Sequence, residues 1–234
     1  NVEQQEPWRP TQLPLRNSEI PTLTFNRAFT VCKDMEYPDG NEDFFVWSEN
    51  RCGAAIFDGA TESFAARRWV YLVATAWRQH SQLDFEGLQN EYEKEIDALD
   101  LGWAEAQARL RGSFTTLASV SPTSGGLAAT IIGDSCIALC KGNDAVEFHP
   151  SSDPEFFRSV PEALATSSTL LSANEDLMTA CSWTIPIEPE EVDRVVLMTD
   201  AVGHWVTSEA APQENSRLAS LLACGLEEEW KTLV

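Results

Sequence analysis

The sequence predicts a layered α+β domain, and three observations predict it. Short β-branched and aromatic runs come first, two long tracts with helical spacing follow, and a second block of strands joined by tight turns precedes a helical close. Strands and helices therefore come in blocks, without the regular βαβ alternation of a parallel sheet. The 234 residues, 43% of them hydrophobic and with 12 Gly and 12 Pro, suffice for one sizeable core.

Each element has its own local reason. Residues 1–22 carry Pro7, Pro10, Pro14 and Pro21 among polar residues and read as an extended Pro-rich arm, which leaves 23–234 as the folded domain. Leu23–Val31, Asp43–Ser48 and Cys52–Phe57 read as three strands separated by the turn-rich YPDGN and SENR. From Thr61 the period changes. Ala65, Trp69, Leu72, Val73, Ala76 and Trp77 fall on one helical face, with Thr61 or Ser63 as the N-cap. A second tract from Asp84 to Arg111 spaces Leu88, Tyr92, Ile96, Leu99, Trp103, Ala106 and Leu110 three or four apart, and Gly102 is a point of division.

Ser113–Val120, Leu127–Ile132, Cys136–Cys140 and Ala145–Phe148 then read as an antiparallel meander turned at PTSGG, GDS and KGND. Residues 149–179 are rich in Ser, Pro and Glu, with short helical pieces at EFFRSV and PEALATS. Strands at Ala180–Ile187 and Arg194–Met198 follow, and helical spacing closes the chain from Ala201.

Charge narrows the choice of partners. Sixteen Lys and Arg stand against 37 Asp and Glu, a net charge of −21 that repels nucleic acid and anionic membranes. An acidic surplus fits basic partners, or carboxylates gathered around divalent cations. The six cysteines include no C-x-x-C pair and none lies within four residues of a His, which argues against structural zinc and for reduced thiols in a cytoplasmic, soluble protein. No apolar run approaches about 18 residues, and the first residues have no signal-peptide pattern.

Four places carry candidate chemistry, each with a plainer alternative. Asn41-Glu42-Asp43 stands where a loop enters an aromatic strand, and reads either as a turn or as the acidic lip of a site. In Ile56-Phe57-Asp58-Gly59 an apolar strand ends in a carboxylate, followed by a glycine free to turn its carbonyl toward the same point, although Asp-Gly is also a common turn. Val195–Asp200 repeats the device: a buried-looking strand that ends in Asp before a helix. Ile132-Gly133-Asp134-Ser135 reads most simply as a hairpin turn, with a metal role as the alternative. No G-x-S-x-G or P-loop string occurs, and His80, His149 and His204 are the only histidines.

In this order, NEDFF, GAAIFDG before a helix, GSFTT, IIGDSCIAL and VVLMTDAVG, the motifs resemble the metal-dependent Ser/Thr protein phosphatase 2C family, in a divergent, bacterial-like form. The resemblance runs from about residue 25 to near the end. It implies a four-layer αββα sandwich of two antiparallel sheets flanked by helices, with two Mg²⁺ or Mn²⁺ ions between the sheets. It implies Asp58 as the carboxylate bridging both ions, the Gly59 carbonyl and Asp200 as further ligands, and Glu42 and Asp43 as the acidic pair opening the metal site. Asp134 is implied at a third, weaker ion. Asp58 and Asp200 are thus the expected catalytic residues, acting through a metal-bridging hydroxide that attacks phosphoserine or phosphothreonine, with phosphoproteins, and a Ser/Thr kinase besides, as the expected partners.

The departures from that pattern matter as much. The family's phosphate-gripping Arg is replaced here by Pro38, and Lys33 is the nearest upstream cation to take the substrate phosphate, as a point charge without the fork of Arg. DGATES lacks the family's further glycines and its His, for which His204 is a candidate replacement. The chain ends at EEEWKTLV, a helical pattern, so the family's last metal-binding Asp and its strand are either absent or beyond the sequence. These departures keep a second reading open, a pseudophosphatase that binds phosphoproteins or regulates a kinase without turnover.

Overall fold

Strands with apolar residues on both faces need cover on both sides, and here the cover comes as four layers. The computed structural model describes residues 20, 23–30, 41–48, 50, 52–61, 63–80, 82–158, 161–167, 170–187, 191–208 and 216–225. The strands are β1 (Phe44–Ser48), β2 (Gly53–Gly59), β3 (Phe114–Thr123), β4 (Gly126–Ile132), β5 (Cys136–Lys141), β6 (Asp144–His149), β7 (Leu164–Ala165), β8 (Ser182–Ile185) and β9 (Arg194–Met198). The helices are α1 (Ala66–Gln79), α2 (Phe85–Asp97), α3 (Trp103–Arg109), α4 (Leu171–Ala180), α5 (Asp200–Thr207) and α6 (Ser216–Ala223).

Two antiparallel sheets result. One runs β1-β2-β3-β4-β8 with β7 added beside β3, and the other runs β6-β5-β9. Period-two alternation divides their side chains among three cores. Phe57, Leu117 and Ile132 face Trp69, Val73, Trp77 and Tyr92 of α1 and α2. The next residue along, Ala118, joins Val120, Leu127, Ile137 and Leu139 between the two sheets. Ala138, Cys136 and Met198 then pack on the far face against Val206 and Leu218 of α5 and α6. Three cores between four layers are the predicted sandwich. Among the described residues, Cys136, Cys140 and Cys224 are buried thiols that form no disulfide.

Four local expectations are corrected. Residues 23–30 form no strand. They are held through side chains, with Phe25 stacked on Phe45 at 6.4 Å and tilted against Trp47 at 5.7 Å, and Arg27 donating to the main-chain carbonyls of Leu222 and Cys224. Those carbonyls are at the C-terminal end of α6, where helix acceptors lack partners of their own and an Arg is favourable. Neither Thr61 nor Ser63 caps α1; Ala65, at φ 51°, is its N-cap, and the Ser63 hydroxyl instead donates to Ala60 O at 2.7 Å.

PEALATS is extended, because burial of Leu164 and Ala165 and pairing with β3 outweigh the helical propensity of its alanines. The helix in this region is α4, further on, where the Ser-rich flank hides its spacing in the sequence. Finally, the GDS segment is no hairpin: β4 and β5 belong to different sheets, and the chain crosses between the layers at Gly133–Ser135. The Asp84–Arg111 tract divides as expected, with Gly102 as the N-cap of α3. The expected arm, apart from Ile20, and the closing EEEWKTLV lie outside the described residues. Among the described residues no helix is long and apolar enough to cross a membrane.

Candidate functional site

Strand register accounts for the gathering of distant acidic residues. Asp58 lies opposite Thr116 in the β2–β3 ladder, and Leu117 lies opposite Ile132 in β3–β4, so Asp58, Thr116 and Gly133 form one row across the first sheet. At Gly133 the chain leaves that sheet. Cys136 then lies opposite Met198 in β5–β9, and continuing that antiparallel register by two residues sets Asp134 across from Asp200. Three carboxylates separated widely in sequence thus reach one end of the sandwich.

They line a common cavity of about 620 Å³ that also takes in Gly59, Glu162 and Asn174. Asp58 and Asp134 are buried, with 9% and 8% of their surface exposed, and Asp200 is half-buried as the first residue of α5. The scaffold behind them is hydrogen-bonded. Thr115 donates to the main-chain oxygen of Asp58 at 3.0 Å, and the hydroxyls of Thr116 and Ser135 meet at 3.0 Å across the crossing between the sheets. Such buried, satisfied polar contacts fix a strand end firmly.

Space is tight at two glycines. A Cβ on Gly59 would stand 3.0 Å from Glu42 Cβ and 3.1 Å from Val70 Cγ2, which brings α1 and Glu42 close against the end of β2. Gly133 has φ +90°, and a Cβ there would lie 2.5 Å from Thr116 Cγ2. The crossing that carries Asp134 into the cavity is therefore open to glycine alone.

The predicted residues are distributed as follows. Asp58, Gly59, Asp134 and Asp200 share the cavity. Glu42 stands against Gly59, its main-chain oxygen accepting from Gly59 N at 3.3 Å, without lining the cavity. Asp43 is also off the lining, its N–H donating to Asn41 Oδ1 at 3.1 Å. Lys33 lies outside the described residues. His204 does not line the cavity; its ring faces Phe157 at 6.5 Å and Ser208 Oγ at 3.2 Å.

Sequence reasoning missed Glu162 and Asn174. Asn174 is recoverable in principle, since Leu170, Ala173, Leu177 and Ala180 have helical spacing, whereas Glu162 belongs to no motif.

The electrostatics favour a cation. The lining carries four carboxylates, and none of its described residues is Lys, Arg or His. Hard oxygen donors suit Mg²⁺ or Mn²⁺. Among the described residues, no three His, Cys, Asp or Glu side chains stand close enough to hold an ion as they are, so the fit lies in donor chemistry and shared position. No Cys is among the described lining residues, and burial pushes the thiol of Cys136 on the nearby strand β5 up to about 12.

Fold and site together define a two-sheet α+β sandwich with an acidic cavity at the strand ends. No family model matches the sequence, and no curated protein matches it. Solved structures are similar in chain course. A bacterial serine phosphatase is 12% identical, with 82% of this chain and 83% of that chain covered at a TM-score of 0.43. A serine/threonine phosphatase from Staphylococcus aureus is 13% identical, with 90% and 91% covered at 0.39. A serine/threonine phosphatase from S. agalactiae is 14% identical, with 92% and 91% covered at 0.36.

Proposed function

We propose that this protein is a metal-dependent phosphomonoester hydrolase acting on phosphoserine and phosphothreonine in proteins. The observation that supports it is the shared cavity of Asp58, Asp134 and Asp200, delivered from two sheets to one point beside Gly59. The ordered motifs that resemble phosphatase 2C supply the reaction class.

In this reading Asp58, the Gly59 carbonyl and Asp200 would hold two divalent ions, with Glu42 and Asp43 as the acidic pair beside them and Asp134 for a third. Such ions, when bound, would supply Lewis acidity toward the phosphoryl oxygens and acidify a water. The chain's own part is positional. β2 and the Thr115 bond hold Asp58 in place, the Thr116–Ser135 contact fixes the crossing that carries Asp134, and the start of α5 presents Asp200. Lys33 is assigned to the substrate phosphate.

One observation favours the second reading, a pseudophosphatase. A cavity lined by four carboxylates, with no Lys, Arg or His among its described lining residues, gives a phosphate dianion no counter-charge from those residues. Turnover decides between them. Hydrolysis of a phosphothreonine peptide with Mn²⁺, with Mg²⁺ and with chelator is compared in wild type, Asp58→Asn and Asp200→Asn. Metal-dependent turnover lost in both variants supports the enzyme. Metal and phosphopeptide binding without turnover supports the pseudophosphatase, and neither binding nor turnover refutes both.

A further inference from the structure

The cavity has two unlike sides. One is the carboxylate floor, and the other is apolar: Leu170, Ala173 and Leu177 along α4, with Pro161 and Ala163 from the segment entering β7. Leu170, at the N-cap of α4, is 40% exposed although it is a large hydrophobic residue beside charged groups. Catalysis of phosphate hydrolysis has no use for such a wall, whereas recognition of what surrounds the phosphate does.

The wall is also held in place. Asn174, 1% exposed, faces back from the same helix, accepting from Ala165 N at 2.9 Å and donating to Ala165 O at 2.8 Å. Ala165 pairs with Phe114, one residue before Thr115, which holds Asp58. Helix and carboxylate are therefore linked through two residues of β3, by the Asn174 and Thr115 side-chain bonds and the pairing of β3 with β7 and β2.

We infer that α4 is the specificity wall of this site and selects phosphorylated segments with an apolar side chain next to the phosphorylated residue and basic residues beyond it. The inference rests on the phosphatase reading given above. The apolar preference follows from Leu170, Ala173 and Leu177. The basic preference follows from Glu162, exposed at the rim, and from the net charge of −21, which attracts cationic segments and repels acidic ones. Leu170 and Ala173 are specificity residues, and Asn174 is a positioning residue.

Three peptides test this: Arg-Arg-Ala-phosphoThr-Leu-Ala, the same with Gly for Leu, and the same with Glu-Glu for Arg-Arg. O-phosphothreonine serves as the substrate without neighbours. In wild type with Mn²⁺, kcat/KM for the Leu peptide is expected to exceed that for the Gly peptide about tenfold, the scale of one apolar group entering a pocket. Leu170→Gln and Ala173→Gln are each expected to bring that ratio within about twofold of one while leaving the Arg-over-Glu ratio in place. Glu162→Gln is expected to lower the Arg-over-Glu ratio and leave the Leu-over-Gly ratio. Both wall positions are partly open to solvent, and a thermal melt of each variant checks the fold.

Equal kcat/KM for the Leu and Gly peptides in wild type, or a ratio unmoved by both wall variants, overturns the inference and leaves the phosphatase reading standing. No turnover of any peptide or of O-phosphothreonine overturns the reading beneath it, and the inference with it.

Discussion

Replacing Gly133 by alanine tests whether the crossing between the sheets is as tightly constrained as its geometry implies. The residue has φ +90°, and an added Cβ would meet Thr116 Cγ2 at 2.5 Å, Thr116 Cβ at 2.8 Å and Glu162 O at 3.0 Å. Holding an L-residue in that backbone region costs about 1–3 kcal/mol. Overlap with a buried β-branched side chain costs about 1–3 kcal/mol more. The sum is about 2–6 kcal/mol, a large part of the 5–15 kcal/mol typical of whole domains. With a urea slope of about 2 kcal/mol/M, the unfolding midpoint should fall by about 1–3 M. Adding Thr116→Ser removes the 2.5 Å contact but not the backbone strain, so the double variant should recover about 1 kcal/mol. A Gly133→Ala midpoint within about 0.3 M of wild type would refute the argument, since neither strain nor overlap would then exist.

Three further outcomes are expected. Asn174→Ala leaves the main-chain N–H and C=O of buried Ala165 without their side-chain partners and should destabilise by about 2–4 kcal/mol in urea unfolding. Gly59→Ala meets contacts of 3.0–3.2 Å that can yield by a few tenths of an ångström, so its cost should be smaller, about 1–2 kcal/mol, with the larger effect on Mn²⁺ affinity measured by titration. His149, buried on β6 near the Trp183 ring, has its pKa lowered from 6.5 mainly by burial, with Glu147 at 3.4 Å opposing the shift. Below about pH 6.5 the unfolded chain then binds a proton that the folded chain does not, so stability should be full above that pH and fall as acid is added. His149→Phe should flatten this slope in urea unfolding at pH 5 and pH 7, and an unchanged slope would dismiss the assignment.

The layers were legible because periodicity survives in the sequence wherever one side chain in two, or in three or four, must be buried. Trp69, Val73 and Trp77 show the period of α1, and the apolar runs before Asp58 and Asp200 show strands that must be covered on both faces. The ends of those strands were legible for the same reason, because an Asp after a buried run interrupts the apolar pattern. What failed was local pattern overruled by distant contact. Residues 23–30 look like a strand, yet Arg27 and Phe25 attach to elements far along the chain. PEALATS looks helical, yet the Asn174 amide and β3 hold it extended. GDS looks like a hairpin because turn chemistry does not record which sheet the next strand enters. Glu162 was illegible altogether, since a single exposed acid in a loop differs in no way from its neighbours until the cavity is formed.

In the proposed reading, Asp58, the Gly59 carbonyl and Asp200 would hold two divalent ions at the junction of the two sheets, with Asp134 at a third. Calorimetric titration of Mn²⁺ into wild type, Asp58→Asn, Asp134→Asn and Asp200→Asn tests it most directly. Saturable binding of two ions in wild type is expected, abolished by Asp58→Asn, weakened at least tenfold by Asp200→Asn, and changed least by Asp134→Asn. Absence of saturable Mn²⁺ binding in wild type, or equal binding in wild type and Asp58→Asn, would contradict the account.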